Sequence, residues 1–341
     1  MIAKDARIAV IGAGAIGGVT AAFLKKAGWN PLIVCKHQET ADLCISPGMR
    51  IRGIKGDHTV ALQALKDISD MSDRQDLVFL ATKANDCLTA AQALLAFLKP
   101  ESLVVSLQNG LCEDALAEIL GRERVIGCVV GWGATNRGAA DLEVTSEGEF
   151  VIGNIDQQTY DRLSPLKEML DAVYPTRITD NIIGELYSKL IINACINSLG
   201  VIGGVKLGQL LASKKARQIF VALMREAMAV AEAMKIKVAP GGGGKLDYYK
   251  FLDAGGKIAD LRRSLTIRII GFKYRRIKSS SLQSLERGRR TEIDYLNGYI
   301  CDKGKTLGVP TPFNDAVRAM VLAIENGEKP MSPGNLTEIT G

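Results

Sequence analysis

Lys189, Asn193 and Asn197 recur every fourth residue inside a largely apolar run from Asn181 to Gly200. At about 100° per residue, a helix sets all three on one narrow stripe among Leu186, Leu190, Ile191, Ala194, Cys195 and Leu199. A helix apolar nearly all round is a buried helix, and buried amides and ammonium groups are costly unless something bonds them. The stripe therefore faces a partner, either a satisfied core network or the polar wall of an active-site cleft. Two apolar strand runs elsewhere end in polar groups of similar promise, Thr82-Lys83-Ala84 and Gln108-Asn109-Gly110. Late in the chain, Ser279-Ser280-Ser281 and Glu292 add hydroxyls and a carboxylate.

A second pattern concerns phosphate. The run Arg7-Ile-Ala-Val-Ile11 enters Gly12-Ala13-Gly14-Ala15-Ile16-Gly17 and then an amphipathic stretch to Lys26, the order strand, glycine turn, helix. Gly12 permits the turn, Gly14 admits a pyrophosphate to the backbone, and Gly17 lets helix and strand pack closely. The helix N-terminus offers N–H donors to the phosphates. The second strand, Pro31 to Cys35, runs into Lys36-His37, where a protein that binds NAD places Asp or Glu for the ribose 2′-hydroxyl. A cation at Lys36 suits a 2′-phosphate, hence NADP(H).

These residues need a frame. Further buried-strand runs at Leu77–Ala81, Leu103–Leu107 and Val125–Val130 alternate with helical stretches near 86 to 98 and 112 to 120, which predicts a doubly wound parallel sheet. In such sheets ligands sit beyond the carboxyl ends of the strands, where Lys83 and Asn109 fall. The pattern from Asp141 to Asn154 reads as a hairpin, residues 161 to 172 as a helix, and Tyr174 to Ile178 as a last strand. Beyond Thr179 the composition turns helical, with helices expected at 181–200 and 210–234. Ala239-Pro-Gly-Gly-Gly-Gly244 reads as a plain flexible break without the Lys-Ser or Lys-Thr of a P-loop. Ile258, Leu261, Leu265, Ile269 and Phe272 predict an amphipathic helix with its apolar face toward the core, and Ser279–Gln283 leads into a helix through Gly304. The fold class expected is α/β, a Rossmann-type domain over 1–179 followed by an all-α domain over 180–341.

Composition narrows the chemistry. At 341 residues, with 47% apolar and 23% charged residues, the chain suits two globular domains. Its seven scattered cysteines form no C-x-x-C pair and its two histidines leave little for a zinc site or a His-based triad, so no metal is expected. No apolar run reaches the ~18 residues of a membrane span, and MIAKDARIAV enters a strand without a signal-peptide pattern; a soluble cytoplasmic protein is expected. The net charge of +6 concentrates between Lys245 and Lys278. Few aromatic residues interleave there, so a solvated face is expected in place of a nucleic-acid or membrane surface.

Taken in order, GAGAIGG, ATKAND, LQNG, KLIINACIN and SSSLQSLERGRRTEIDYLNG resemble the signature stretches of the ketopantoate reductase family, 2-oxo acid reductases dependent on NADPH. The resemblance covers nearly the whole chain. It implies a Rossmann domain joined to a helical domain with the active site between them, a small 2-oxo acid as partner, and compatibility with a homodimer. By motif position it implies cofactor contacts at Gly12, Gly14, Gly17 and Lys36, with Lys83 and Asn109 on the nicotinamide side. The general-acid lysine falls on Lys189, the amides for the substrate hydroxyl on Asn193 and Asn197, the substrate serine on Ser280, and the catalytic-site glutamate on Glu292. Ile277 and Leu207 stand where the pantothenate enzymes usually carry Asn, and Ser284 where Asp is usual. These departures bear on substrate contacts, and they favour a reductase of another 2-oxo acid, or an opine-type dehydrogenase, as the alternative. A non-catalytic NADP-binding sensor is the rival from a different class.

Overall fold

The computed structural model describes residues 2–156, 161–253 and 255–341. They form two compact units, Met1–Gln108 with Cys112–Leu186, and Asn109–Leu111 with Tyr187–Gly341.

Among the described residues the first unit has twelve strands: β1 (Ile8–Ile11), β2 (Leu32–Val34), β3 (Met49–Gly53), β4 (His58–Val60), β5 (Gln63–Leu65), β6 (Gln75–Leu80), β7 (Leu98–Ser106), β8 (Val125–Val130), β9 (Gly133–Gly138), β10 (Asp141–Ser146), β11 (Phe150–Asn154) and β12 (Thr176–Ile178). Its helices are α1 (Ala15–Lys26), α2 (Gln38–Leu43), α3 (Ala84–Leu94), α4 (Glu113–Leu120) and α5 (Leu163–Leu170). Eight strands form one sheet in the order β12-β11-β8-β7-β6-β1-β2-β5. From β5 to β8 every pair is parallel, and β11 joins β8 antiparallel. The order reverses at β1, whose neighbours are β2 and β6, so the topological switch point lies at the Gly12–Gly17 turn. The central strands β1 and β8 are continuous apolar runs because both faces are covered; all four residues of β1 are buried.

A second sheet, in the order β4-β3-β10-β9, is absent from the expectation at 49–60. It covers α1, and a Cβ on Gly18 would stand 2.5 Å from Leu142 and 2.7 Å from Met49. The expected hairpin over 141–154 is corrected accordingly. Both strands form, yet β10 pairs with β9 and β3 while β11 pairs with β8 and β12. The alternation of residues shows that strands exist, but the partner is chosen by which sheet has an open edge.

The second unit is helical: α6 (Ile182–Gly203, its first turn clustering with the first unit), α7 (Leu207–Ala212), α8 (Lys214–Ala233), a turn labelled α9 (Gly241–Gly244), α10 (Tyr248–Asp253), α11 (Lys257–Lys273), α12 (Ser280–Glu286), α13 (Asn297–Leu307) and α14 (Pro312–Glu325). α6 alone is long and apolar enough, among the described residues, to pass for a membrane span, and 78% of its most apolar window is buried as a core helix is. Tyr187 on α6 donates its hydroxyl to Ala227 O at 2.8 Å, and Tyr248 donates to Ser188 O at 2.7 Å. The carboxylate of Glu226 accepts from the N–H groups of Phe313 and Asn314 at 2.8 and 2.9 Å, anchoring the start of α14 on α8.

Three further expectations change here. The glycine break is an ordered turn in which Gly242 and Gly243 have positive φ and Gly241 N donates to Leu246 O at 2.8 Å. The helix expected from Ser279 through Gly304 is interrupted, since α12 ends at Glu286 and Gly288 has φ +67°. Glu292 thus stands between helices, at the start of a 3₁₀ turn Ile293–Tyr295. On α11, finally, the apolar stripe is not core-facing: Ile258, Leu261, Leu265, Ile269 and Phe272 are 56–87% exposed. Periodicity finds an apolar face without saying whether it is the buried one. α11 packs through Ala259, Arg263, Ile267 and Gly271, and it is Gly271 that lets it approach α7, since a Cβ there would lie 2.6 Å from Leu211 Cβ.

Candidate functional site

In the first unit the glycine turn has three different glycines. Gly12 has φ +110°, and a Cβ there would meet Ala81 O at 2.8 Å. Gly17 is more confined: its Cβ would lie 2.1 Å from Gly12 O and 2.8 Å from Ala81 Cβ. Gly14, the N-cap of α1, has ordinary extended φ, no capping side chain, and no heavy atom within 4 Å of a built Cβ. A turn closed at two glycines and open at the third, at the uncapped start of a twelve-residue helix, fits a nucleotide pyrophosphate. Ala13, Ala15 and Ile16 are half-buried on the same turn, which Gly12 N ties to β2 by a 2.9 Å bond to Val34 O.

Lys36 follows β2 and is exposed, with Nζ 3.3 Å from Asp86 Oδ2. Lys83 is the exposed N-cap of α3, just past β6. Sequence reasoning named Gln108 only as a neighbour of Asn109, whereas the structure makes it the brace of this loop. Buried Gln108 accepts from Ser106 Oγ at 2.8 Å and donates to Leu80 O at 2.8 Å and Thr82 O at 3.2 Å. Its signal in the sequence was a polar side chain ending an apolar strand.

Glu113, which sequence reasoning passed over, lies fully buried in the first turn of α4. Its Oε2 has no hydrogen-bond partner among the described residues. Burial pushes its carboxyl up to about 7, and hydrogen bonds from its helix N–H groups and from Ser106 offset this only in part. A carboxyl raised in the fold keeps its full contribution to stability below its ordinary pKa and loses it as pH rises through about 7. We expect Glu113→Gln to remove a loss of roughly 3 kcal/mol between acid and neutral pH. Chemical denaturation from pH 4 to pH 8 checks this, and equal pH dependence in both proteins would refute it.

In the second unit, α6 presents Lys189 and Asn193 half-buried on the stripe, with Ile192 and Ile196 beside them, and Asn197 buried. Ser280 Oγ donates to Asn197 Oδ1 at 3.1 Å, so two residues 83 apart in sequence meet. The approach depends on Gly200, one turn along α6, where a Cβ would lie 2.4 Å from Ser279 Oγ; Ser279 itself caps α12. Glu292 is buried. Asn109 is half-buried in a segment that clusters with this unit, and Gly110 beside it has φ +93° with room for no Cβ, since Tyr295 O would lie 2.6 Å away. The Asn109 segment and the turn that begins at Glu292 are therefore in close approach. Leu207 and Ile277 are neighbours too, joined by a 2.9 Å bond from Leu207 N to Ile277 O. Among the described residues no cluster of His, Cys, Asp and Glu could hold a metal ion, and the seven cysteines are buried thiols.

Two family models match the chain, "Ketopantoate reductase PanE/ApbA" over residues 8–157 and "Ketopantoate reductase PanE/ApbA C terminal" over residues 181–325. A 2-dehydropantoate 2-reductase of Archaeoglobus fulgidus is 27% identical over 324 residues, covering 94% of this chain and 98% of that protein. The crystal structure of a PanE/ApbA family ketopantoate reductase from Ralstonia eutropha JMP134 superposes with a TM-score of 0.81 at 30% identity, covering 94% of this chain and 99% of that one. A D-mandelate dehydrogenase solved with NADH and anilino(oxo)acetate shares the fold, with a TM-score of 0.79 at 24% identity over 94% of this chain and 98% of that one.

Proposed function

Since this chain belongs to the ketopantoate reductase family, as an oxidoreductase that acts on CH–OH groups and 2-oxo acids, we propose that it reduces 2-dehydropantoate to pantoate with NADPH, in pantothenate biosynthesis. On this reading residues 1–179 hold the nucleotide and residues 180–341 supply the catalytic groups. The observation that carries it is the pairing of Ser280 with Asn197 on the stripe that also bears Lys189 and Asn193. A hydroxyl and an amide held together, on the helix face that carries an ammonium two turns away, would suit a carboxylate and a nearby oxygen.

Bound NADPH would supply hydride to the C2 carbonyl carbon. Lys189 donates a proton to the carbonyl oxygen as charge develops there. Asn193 and Asn197 hold the substrate hydroxyl, Ser280 holds the carboxylate, and Glu292 orients the lysine. Gly12 to Gly17 cradle the pyrophosphate, Lys36 meets the 2′-phosphate, and Lys83 and Asn109 line the nicotinamide side.

One observation favours a second reading, reduction of a 2-oxo acid with a more apolar substituent. Leu207 and Ile277, at positions the pantothenate enzymes usually fill with Asn, are joined by a backbone hydrogen bond, so two polar residues are replaced by apolar ones in one neighbourhood of the fold. The likeness to a dehydrogenase solved with anilino(oxo)acetate points the same way. Loss of NADPH absorbance with a panel of 2-oxo acids separates the two. The first reading expects the highest kcat/KM with 2-dehydropantoate, and the second expects it with an aryl or branched 2-oxo acid. Tight nucleotide binding with no consumption on any of them would refute both and leave the sensor.

A further inference from the structure

β2 and β6 both pair with β1, so with strands about 4.8 Å apart their ends stand about 10 Å from each other, on either side of the glycine turn. Lys36 follows the first of these strands, and Asp86 sits in the first turn of α3, which follows the second. Their side chains close the gap with a 3.3 Å ion pair, although they are 75% and 52% exposed. A pair that exposed gives the fold little. What it does occupy is the crevice at the switch point, where open α/β sheets take their ligand. Dinucleotide folds that prefer NAD place a carboxylate at the end of the second strand to accept the ribose 2′-hydroxyl. This chain has Lys36 there and brings a carboxylate from the opposite side.

We propose that Asp86 is a specificity-determining residue for the nucleotide: it competes with the 2′-phosphate for Lys36, and it accepts the 2′-hydroxyl when that phosphate is absent. The inference rests on the reading of Lys36 as the phosphate contact. A 2′-phosphate must detach Lys36 from Asp86 and then lie near a like charge. A 2′-hydroxyl does neither, and gains an acceptor. Asp86 thereby narrows a preference for NADPH that Lys36 alone would make steep.

Isothermal titration of the intact protein with adenosine 2′,5′-bisphosphate and with 5′-AMP tests this without any substrate. In Asp86→Asn, which keeps a residue accepted near helix starts, the bisphosphate is expected to bind 3- to 10-fold tighter while 5′-AMP binds no better than before. An unchanged ratio of the two affinities, whether both move equally or neither moves, overturns the proposal. Lys36→Ala separates the two layers. If it weakens the bisphosphate alone while Asp86→Asn leaves the ratio unmoved, only the role of Asp86 fails. If Lys36→Ala leaves both ligands unaffected, the phosphate reading of Lys36 fails and the proposal falls with it.

Discussion

Lys189→Ala is expected to lower turnover by about 10²- to 10⁴-fold on the best 2-oxo acid, the span that a positioned general acid contributes. Several features make this substitution a clean probe. Alanine is the best helix former, so α6 tolerates it locally, and Lys189 is only half-buried, so its removal opens no closed cavity. The nucleotide contacts assigned to Gly12–Gly17 and Lys36 are on other elements, and NADPH affinity should stay within about twofold. The loss belongs to kcat, because the proton is needed as charge develops and not in the ground state. Lys189→Arg should recover little, since a guanidinium keeps the charge but cannot give up its proton. Steady-state kinetics with thermal unfolding as a control settles the matter: near-normal turnover in Lys189→Ala would remove the lysine from the acid's role.

The second large effect separates two glycines of one turn. A valine at Gly17 would drive its Cβ into Gly12 O, 2.1 Å away in an unrelaxed backbone, and into Ala81. Backbone must shift, and we expect a loss of about 3 kcal/mol or more, typical of strain in a packed core. A Cβ at Gly14 meets nothing within 4 Å, and the backbone there is extended. The cost of a valine there to stability should stay below ~1 kcal/mol. Its side chain would nonetheless fill the space where a pyrophosphate meets the uncapped helix N-terminus, so nucleotide affinity should fall at least tenfold. Thermal unfolding and nucleotide titration on the two variants check both halves. Undiminished binding by Gly14→Val would show that phosphates do not use this turn.

Much of the first unit was legible because its signals are local. A strand buried on both faces must be apolar throughout, a turn that approaches backbone must be glycine, and both facts stand in residues 7 to 17. The stripe of Lys189, Asn193 and Asn197 was legible for a similar reason, as polar groups at helical spacing in an apolar run need partners. What failed was pairing. β10 and β11 looked like two arms of one hairpin and entered different sheets, and α11 turned its apolar stripe outward while the face of Ala259, Arg263, Ile267 and Gly271 is buried, with Gly271 fitted against α7.

By itself the sequence determined the parallel sheet, the glycine turn, the helical second half and the chemical identity of the groups available for catalysis, all of which follow from residue type and spacing within one element. Only the tertiary structure decided that Ser280 bonds Asn197, that Gln108 braces the loop of Lys83, that Leu207 and Ile277 adjoin, and that Lys36 is met by Asp86. Each of these is a contact between distant residues, and which distant residues meet is set by how whole elements pack, a property that no local pattern of side chains carries.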